Sequence, residues 1–385
     1  MIFWIMLIWV IAIGFVQPKM SKTTLEGQNT NSEKVSWGYC ILLWSVPLFF
    51  ICMCTSFGDK AGYLGSFRSS PLNFAELESY ISTWEKSSLY YWLQGAVKII
   101  FLKNEYIWYS IIAIIQAVCV TITLRKYSAD FAMSMFIFTA STLMISWMCN
   151  GIRQFIIVAV LFACTDWIIK GKWIRYFLVV LAFSGIAPLA KMIGTNHVSV
   201  LLGGFHQSAL LMIPIFFCIR GKALNKRLWI ISSIMLLFLA FGLLDGFLSN
   251  TAYGKDLSDK AYQTGANPLR LLVSLAPVAL VLIRGKDIIN NEHPPIIDLA
   301  INTSIVTAML YAVSTLTSGE FIGRLPIYTE LYNLILIPWL IEKVYISHNQ
   351  WIKIGLYAGY IGYFFYQINI AWATSSYQSS LLGIY

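Results

Sequence analysis

The sequence predicts an all-α, polytopic integral membrane protein of about twelve transmembrane helices, with an interfacial or re-entrant helix on the outer side. Three observations carry this. Of 385 residues, 58% are hydrophobic and 12% charged, whereas soluble domains carry about 25% charged residues. Mean hydropathy is +0.69, more apolar surface than a water-soluble core could hide. Apolar runs near the length needed to cross a bilayer recur along the whole chain, and basic residues fall in every second gap between them.

The expected spans are 1–17, 37–57, 104–124, 131–149, 152–170, 173–192, 205–219, 228–248, 269–284, 296–316, 325–342 and 351–370. The first lacks a basic leader and a small-residue cleavage site, so it reads as a retained helix rather than a signal peptide. One set of gaps holds Lys19, Lys22 and Lys34, then Arg125 and Lys126, then Lys170, Lys172 and Arg175. The set continues with Arg220, Lys222, Lys226 and Arg227, then Arg284 and Lys286, then Lys343 and Lys353. By the positive-inside bias these gaps are cytoplasmic, which puts both termini outside. The net charge of +9 is mostly explained by these loops, so nucleic acid is not implied as a partner.

The remaining basic residues lie on or near the outer side, with Lys60, Arg68, Lys255 and Lys260 as ordinary loop charges. Within residues 87–102, "SSLYYWLQGAVKIIFL", Gln94 and Lys98 are four apart and give one polar helix stripe, as an interfacial or partly inserted helix would have. No repeat, low-complexity tract or soluble domain interrupts the chain. It reads as one transmembrane domain, 1–385, with outer loops 58–103, 185–204 and 249–268 shaping any site. Cys40, Cys52, Cys54, Cys119, Cys149, Cys164 and Cys218 have no zinc spacing and read as small buried hydrophobes.

Arginine at the outer mouth of an apolar helix needs a reason. Arg153 in "NGIRQ", Arg270 in "NPLRLL" and Arg324 in "IGRLPIY" all occupy that position, each beside Gly, Asn or Pro. Snorkelling to headgroups is one account; structural pairing with Asp245, Glu320 or Glu330 is another. The third is phosphate: guanidinium is always charged and binds phosphate oxygens bidentately, and helix starts add free N–H donors. Three such ends would hold a lipid-linked diphosphate without a metal.

His206, in "FHQSALLMIP", is level with those arginines, and its imidazole could accept a proton from a hydroxyl or orient one. His197 reads as an outer-loop residue, His293 and His348 as inner-loop ones. Asp59, in "GDKAGYLGSF", is an outer carboxylate that could act as a base, bind a sugar or be a solvated charge. Asp166 reads as an i, i+4 partner of Lys170. Walker, HExxH, Rossmann and GxSxG patterns are missing from the sequence, and no cofactor is implied.

Taken in order, "GDKAGYLGSF", "WEKSSLYYWLQ", "NGIRQ", "FHQSALLMIP", "NPLRLL" and "GRLPIYTELYNLILIP" resemble the EpsG-type branch of bacterial Wzy-like polysaccharide polymerases, over roughly Trp37 to Lys343. The resemblance implies inverting-type glycosyl transfer at the outer face of the cytoplasmic membrane. A growing glycan on undecaprenyl diphosphate would be the donor and a lipid-linked repeat unit the acceptor. It further implies diphosphate binding by Arg153, Arg270 and Arg324, and a reaction centre with His206 and Asp59. Gln154, Tyr328, Tyr63 and Glu85 take supporting places, no metal is used, and membrane lipid and a chain-length regulator are partners. Two features depart from the family's pattern: Asp59 and Tyr63 are four apart rather than adjacent, and about twenty residues, 185–204, intervene before "FHQSA". A ligase moving a finished glycan from the same carrier would share these residues. A lipid-linked sugar flippase would call for repeat symmetry and charges along a central path, and an acyltransferase for a histidine placed elsewhere.

Overall fold

The computed structural model describes residues 1–16, 35–82, 87–101, 103–186, 200, 202–240, 265–316, 319, 322–346, 349–373 and 376–385. All named elements among them are helical. They are α1 (Ile2–Phe15), α2 (Trp37–Met53), α3 (Lys60–Ser69), α4 (Phe74–Ser82), α5 (Ser88–Ile100), α6 (Glu105–Tyr127) and α7 (Phe131–Ala140). Next come α8 (Leu143–Ile145) running into a π turn (Ser146–Asn150), α9 (Ile152–Ala163), α10 (Thr165–Ile169), α11 (Trp173–Ser184) and a 3₁₀ turn (Gln207–Leu211) leading into α12 (Met212–Ile219). The chain continues through α13 (Lys226–Ala240), α14 (Pro268–Ile283), α15 (Gly285–Asn290), α16 (Pro295–Leu316), a 3₁₀ turn (Ile322–Arg324), α17 (Ile327–Glu330), α18 (Asn333–Trp339) and α19 (Asn349–Tyr366).

The polarity of these helices is inverted relative to a soluble protein. On α6, Ile114, Ile115, Val118 and Ile122 are exposed while Gln116, Thr121 and Thr123 are buried. On α16 the fully buried residues include Asn302, Thr303 and Thr307. Apolar side chains outside and hydrogen-bonded polar ones between helices are the pattern lipid imposes. Thr123 Oγ1 donates to Phe162 O at 2.9 Å, Gln116 Nε2 donates to Ile152 O at 3.2 Å, and Trp44 Nε1 donates to Thr121 Oγ1 at 2.7 Å. The chain is an all-helical membrane protein.

The expected twelve full-length spans are not all present as single helices. Among the described residues, α6 and α16 are long and apolar enough to cross a bilayer, and α7 with α8 and its π turn qualify as a pair bent by 68°. The bend lies at Ser141–Thr142, where Thr142 takes a φ of 62°. Expected span 152–170 breaks at Cys164, span 205–219 begins as a 3₁₀ turn, and span 325–342 is cut into α17, α18 and a π turn. A hydropathy window registers apolar content but not these interruptions, each made by residues that are themselves apolar or small.

α6 and α9 run side by side in the same direction, since Gln116 meets Ile152, Thr123 meets Phe162, and Lys126 pairs with Asp166 at 2.6 Å. One end of this pair carries the basic cluster, with Asp166 also reached by Lys170 at 3.5 Å and by the Tyr127 hydroxyl. At the other end α3, α4 and α5 form a cap over the first turns of α6 and α9. Bidentate hydrogen bonds from Arg68 to Glu105, at 2.7 and 3.1 Å, fasten α3 to the start of α6.

Inside this cap the expected loop charges behave differently from the sequence reading. Lys60 is buried, with Nζ donating to Ile51 O at 2.9 Å and lying 5.0 Å from the Tyr109 ring. Lys98 is also buried, donating to Arg68 O at 2.7 Å and Ser70 O at 2.5 Å, while Gln94 Nε2 donates to Ser66 Oγ at 3.1 Å. Both lysines satisfy carbonyls that the ends of α2 and α3 leave without intrahelical partners. The polar stripe of α5 therefore faces protein rather than water. Burial, with a smaller contribution from Lys103, lowers the Lys98 pKa.

Candidate functional site at the capped end

The stretch "NGIRQ" sits at the junction of the π turn and α9, and each of its polar side chains engages a different element. Asn150 Oδ1 accepts the backbone N–H of Asp59 at 2.5 Å. Gly58, at φ +55°, makes this approach possible, because a Cβ there would strike the Asn150 carboxamide. Asp59 immediately precedes α3 and Tyr63 lies one turn on, its N–H bonded to Asp59 O at 3.2 Å. The four-residue spacing thus puts the carboxylate and the phenol on one helix face, which adjacency would not.

Arg153 occupies the first turn of α9. Its guanidinium carbon lies 5.3 Å from the Tyr63 ring centre, 5.3 Å from Tyr91 and 6.0 Å from Tyr90. Its Nε approaches the Tyr63 hydroxyl at 3.5 Å. Among the described residues no carboxylate pairs with it. Aromatic faces attract and orient a cation without cancelling its charge, so Arg153 is held in place and still electropositive.

Residues 322–330 form a strap that gathers the other segments. Gln154 Nε2 donates to Arg324 O at 2.9 Å, and Arg324 Nη1 pairs with Asp59 Oδ2 at 3.3 Å. One turn later the Tyr328 hydroxyl meets Ser208 Oγ at 2.9 Å, and Ser208 Oγ meets His206 Nδ1 at 2.7 Å. Thr329 Oγ1 meets Thr307 Oγ1 at 2.7 Å, and Glu330 accepts the Tyr311 hydroxyl at 2.8 Å. Glu330, Tyr311 and Tyr363 are all close enough to Arg270 to interact with its charge. Arg270 is set in the first turn of α14 by Asn267, whose Oδ1 caps Leu269 N–H at 3.0 Å and whose Nδ2 donates to Tyr366 at 2.9 Å, with Pro268 at the first helical position.

Of the residues expected from sequence, Asp59, Tyr63, Arg153, Gln154 and Arg324 form one connected group. His206 and Tyr328 form a second on the same strap, and Arg270 lies beside Glu330 at the strap's end. Of the three carboxylates named as possible partners for the arginines, Glu330 faces Arg270, while Asp245 and Glu320 lie outside the described residues, as do Glu85 and His197. The carboxylate on Arg324 is instead Asp59. His293 lies at the other end, bonded to Asp298 at 3.1 Å. Asn150, Tyr90, Tyr91, Ser208, Tyr311 and Tyr363 were not singled out from sequence. "LYYW" is the signal for Tyr90 and Tyr91, and "HQS" for Ser208.

The long join before "FHQSA" leaves and returns at one point. Ile186 N–H bonds Leu202 O at 2.6 Å, Phe205 N–H bonds Phe183 O at 2.6 Å and His206 N–H bonds Phe183 O at 3.3 Å. Gly185 and Gly204, at φ +74° and +60°, close this neck so tightly that neither could carry a Cβ. The excursion therefore does not displace His206, which α11 anchors directly.

The EpsG family model matches residues 37–184 and 198–380. The chain belongs to the EpsG family. This is a Wzy-like polymerase-type family, associated with glycosyltransferase-like polymerases, and membership suggests a polysaccharide polymerase-like function. The two matched stretches omit residues 185–197, within the join that closes on itself at Gly185 and Gly204. No curated protein and no solved structure matches the chain.

Proposed function

We propose that this EpsG-family protein polymerises lipid-linked oligosaccharide repeat units at the outer face of the bacterial cytoplasmic membrane. The donor is a growing glycan on undecaprenyl diphosphate, and the acceptor is a hydroxyl of the next lipid-linked repeat. The observation that carries the reading is the strap. Residues 322–330 touch Asp59, Gln154, Ser208 and Tyr311, bringing arginine, carboxylate and imidazole from four distant segments to one capped end.

In this reading the acceptor oxygen attacks the anomeric carbon as the sugar–diphosphate bond breaks, and the diphosphate leaves with the bonding electrons. Arg153, Arg270 and Arg324 stabilise the charge it gains, as positioned cations do where charge develops. The acceptor proton goes to Asp59. Its ion pair with Arg324 is part-exposed, at 46% and 40%, and such pairs contribute about 0–1 kcal/mol. A phosphate oxygen can therefore take Arg324 over at little cost and release the carboxylate beside the reacting centre. Glu85 and a chain-length regulator complete the proposal as a supporting residue and a partner.

The test is purified protein with a synthetic lipid-linked repeat. Polymer should form, and it should still form in excess chelator. An Arg153→Lys, Arg270→Lys, Arg324→Lys variant keeps the charge but loses the planar fork, and should insert normally yet make little polymer. Undiminished polymer from that variant refutes the diphosphate assignment. Transfer only to a non-lipid acceptor would make the protein a ligase.

A further inference from the structure

α2 stops at Met53 and α3 starts at Lys60, so the connection between them, which carries Asp59, has no helix to satisfy its main chain. Segment 376–385, far away in sequence, does so instead. Gln378 O accepts the N–H groups of Thr55 and Ser56 at 2.8 and 3.4 Å, and Gln378 N–H donates to Ser56 O at 2.9 Å, forming an antiparallel bridge. The Thr55 hydroxyl donates to the same Gln378 carbonyl at 3.2 Å. Main-chain groups left without partners away from water are costly, so this contact fixes where the connection runs.

The segment is itself fastened on two sides. Tyr377 is buried; its hydroxyl donates to Phe50 O at 2.8 Å near the end of α2, and its ring meets Phe3 of α1 edge-on at 6.0 Å. Ser380 Oγ lies 2.7 Å from the hydroxyl of Tyr106 in the first turn of α6, and Leu381 N–H donates to that hydroxyl at 3.2 Å. Ser379 and Ile384 exchange both main-chain hydrogen bonds, at 2.8 and 3.0 Å, so the segment closes on itself. Next in the connection, Phe57 is held edge-on by Phe3 at 5.1 Å and Trp372 at 5.4 Å. Two residues on, Asn150 takes the Asp59 N–H and Arg324 meets its carboxylate.

The connection is pinned at Ser56, Phe57 and Asp59, and the first of these pins belongs wholly to segment 376–385. We propose that this segment is a positioning clamp for Asp59, with Tyr377 and Gln378 as its positioning residues, holding the carboxylate where the acceptor hydroxyl loses its proton. The catalytic half of the inference rests on the polymerase reading above; the clamp half does not.

Gln378→Pro removes the N–H given to Ser56, whereas Gln378→Ala keeps both main-chain groups. The proline variant should lower kcat about 10- to 100-fold, the scale of a misplaced catalytic group, with the donor KM within about threefold. The alanine variant should stay within about threefold in kcat. Hydrogen exchange read by mass spectrometry should be at least about tenfold faster at Thr55 and Ser56 in Gln378→Pro, with α16 unchanged. In an Asp59→Asn background the proline should cost about twofold or less, because the clamp acts through that carboxylate. Should Gln378→Pro not fold, Tyr377→Phe deletes only the bond to Phe50 and should lower kcat about 2- to 10-fold, the scale of one hydrogen bond, again only where Asp59 is present. Full activity in the proline variant, the same fractional loss with and without Asp59, or unchanged exchange at Thr55 and Ser56 would overturn the inference. If the wild type makes no polymer, the polymerase reading fails, and the exchange result still decides the clamp.

Discussion

Replacing Tyr63 separates the role of its ring from that of its hydroxyl. The ring centre is 5.3 Å from the Arg153 guanidinium, inside the range of about 6 Å over which a ring attracts a cation. The hydroxyl is 3.5 Å from Nε, at the outer limit of a hydrogen bond. Cation–π contacts contribute about 0.5–1 kcal/mol when exposed and about 2 when desolvated. Tyr63 is 9% exposed, so the upper half of that range applies, about 1–2 kcal/mol. At about 1.4 kcal/mol per tenfold, this corresponds to a loss of about 5- to 30-fold in affinity for a prenyl diphosphate. Tyr63→Leu should show that loss, while Tyr63→Phe, which keeps the ring, should stay within about twofold. The assay is titration of the detergent-purified protein with a short-chain prenyl diphosphate, with a melting curve to confirm folding. Equal damage from Phe and Leu, or none from Leu, would refute an Arg153 held by aromatic faces for an anion.

Two further outcomes follow from the topology and from a titrating pair. A membrane-impermeant thiol reagent applied to intact cells should label Ala75→Cys on the exposed face of α4 and miss Lys222→Cys in the basic loop; the reverse would put the strap on the cytoplasmic side. The Asp298 hydrogen bond raises the pKa of His293 despite opposing burial, so its stabilisation is complete below the ordinary histidine value of about 6.5 and disappears as pH rises through the raised folded value. Thermal melting should therefore show the wild type losing its advantage over His293→Gln as pH rises above about 6.5, and a constant difference would show that the pair contributes nothing.

What the sequence made legible was what depends on composition and period. Basic residues alternate with apolar runs because translocation disfavours moving them, and that bias survives in the linear order. The pieces of the site were also legible, since Arg153, Arg270, Arg324 and His206 each stand next to a turn-forming residue at an apolar boundary. Their partners were not. Whether Lys60 and Lys98 meet water or carbonyl oxygen depends on where α2 and α3 stop, and hydropathy does not record that. Similarly, Asp59 and Tyr63 look mismatched until α3 is known to begin between them. The strap was the least visible part: "GRLPIYTELYNLILIP" reads as the start of one helix, whereas Pro326, Leu331 and Tyr332 interrupt it and turn Arg324, Tyr328 and Glu330 toward different neighbours.

Those neighbours distinguish the three arginines more sharply than their matching sequence positions suggest. Arg270 lies near Glu330, which the Tyr311 hydroxyl also engages, so its charge is shared within a part-buried cluster. Arg324 carries the part-exposed Asp59 carboxylate, which the proposed diphosphate would displace. Among the described residues Arg153 has tyrosines where the others have acids, so its desolvation is not repaid there by a counter-charge. A protein selected only for stability would gain from an acid beside Arg153. Tyrosines there instead keep the position fixed and the charge uncancelled, which is what the proposed diphosphate binding requires.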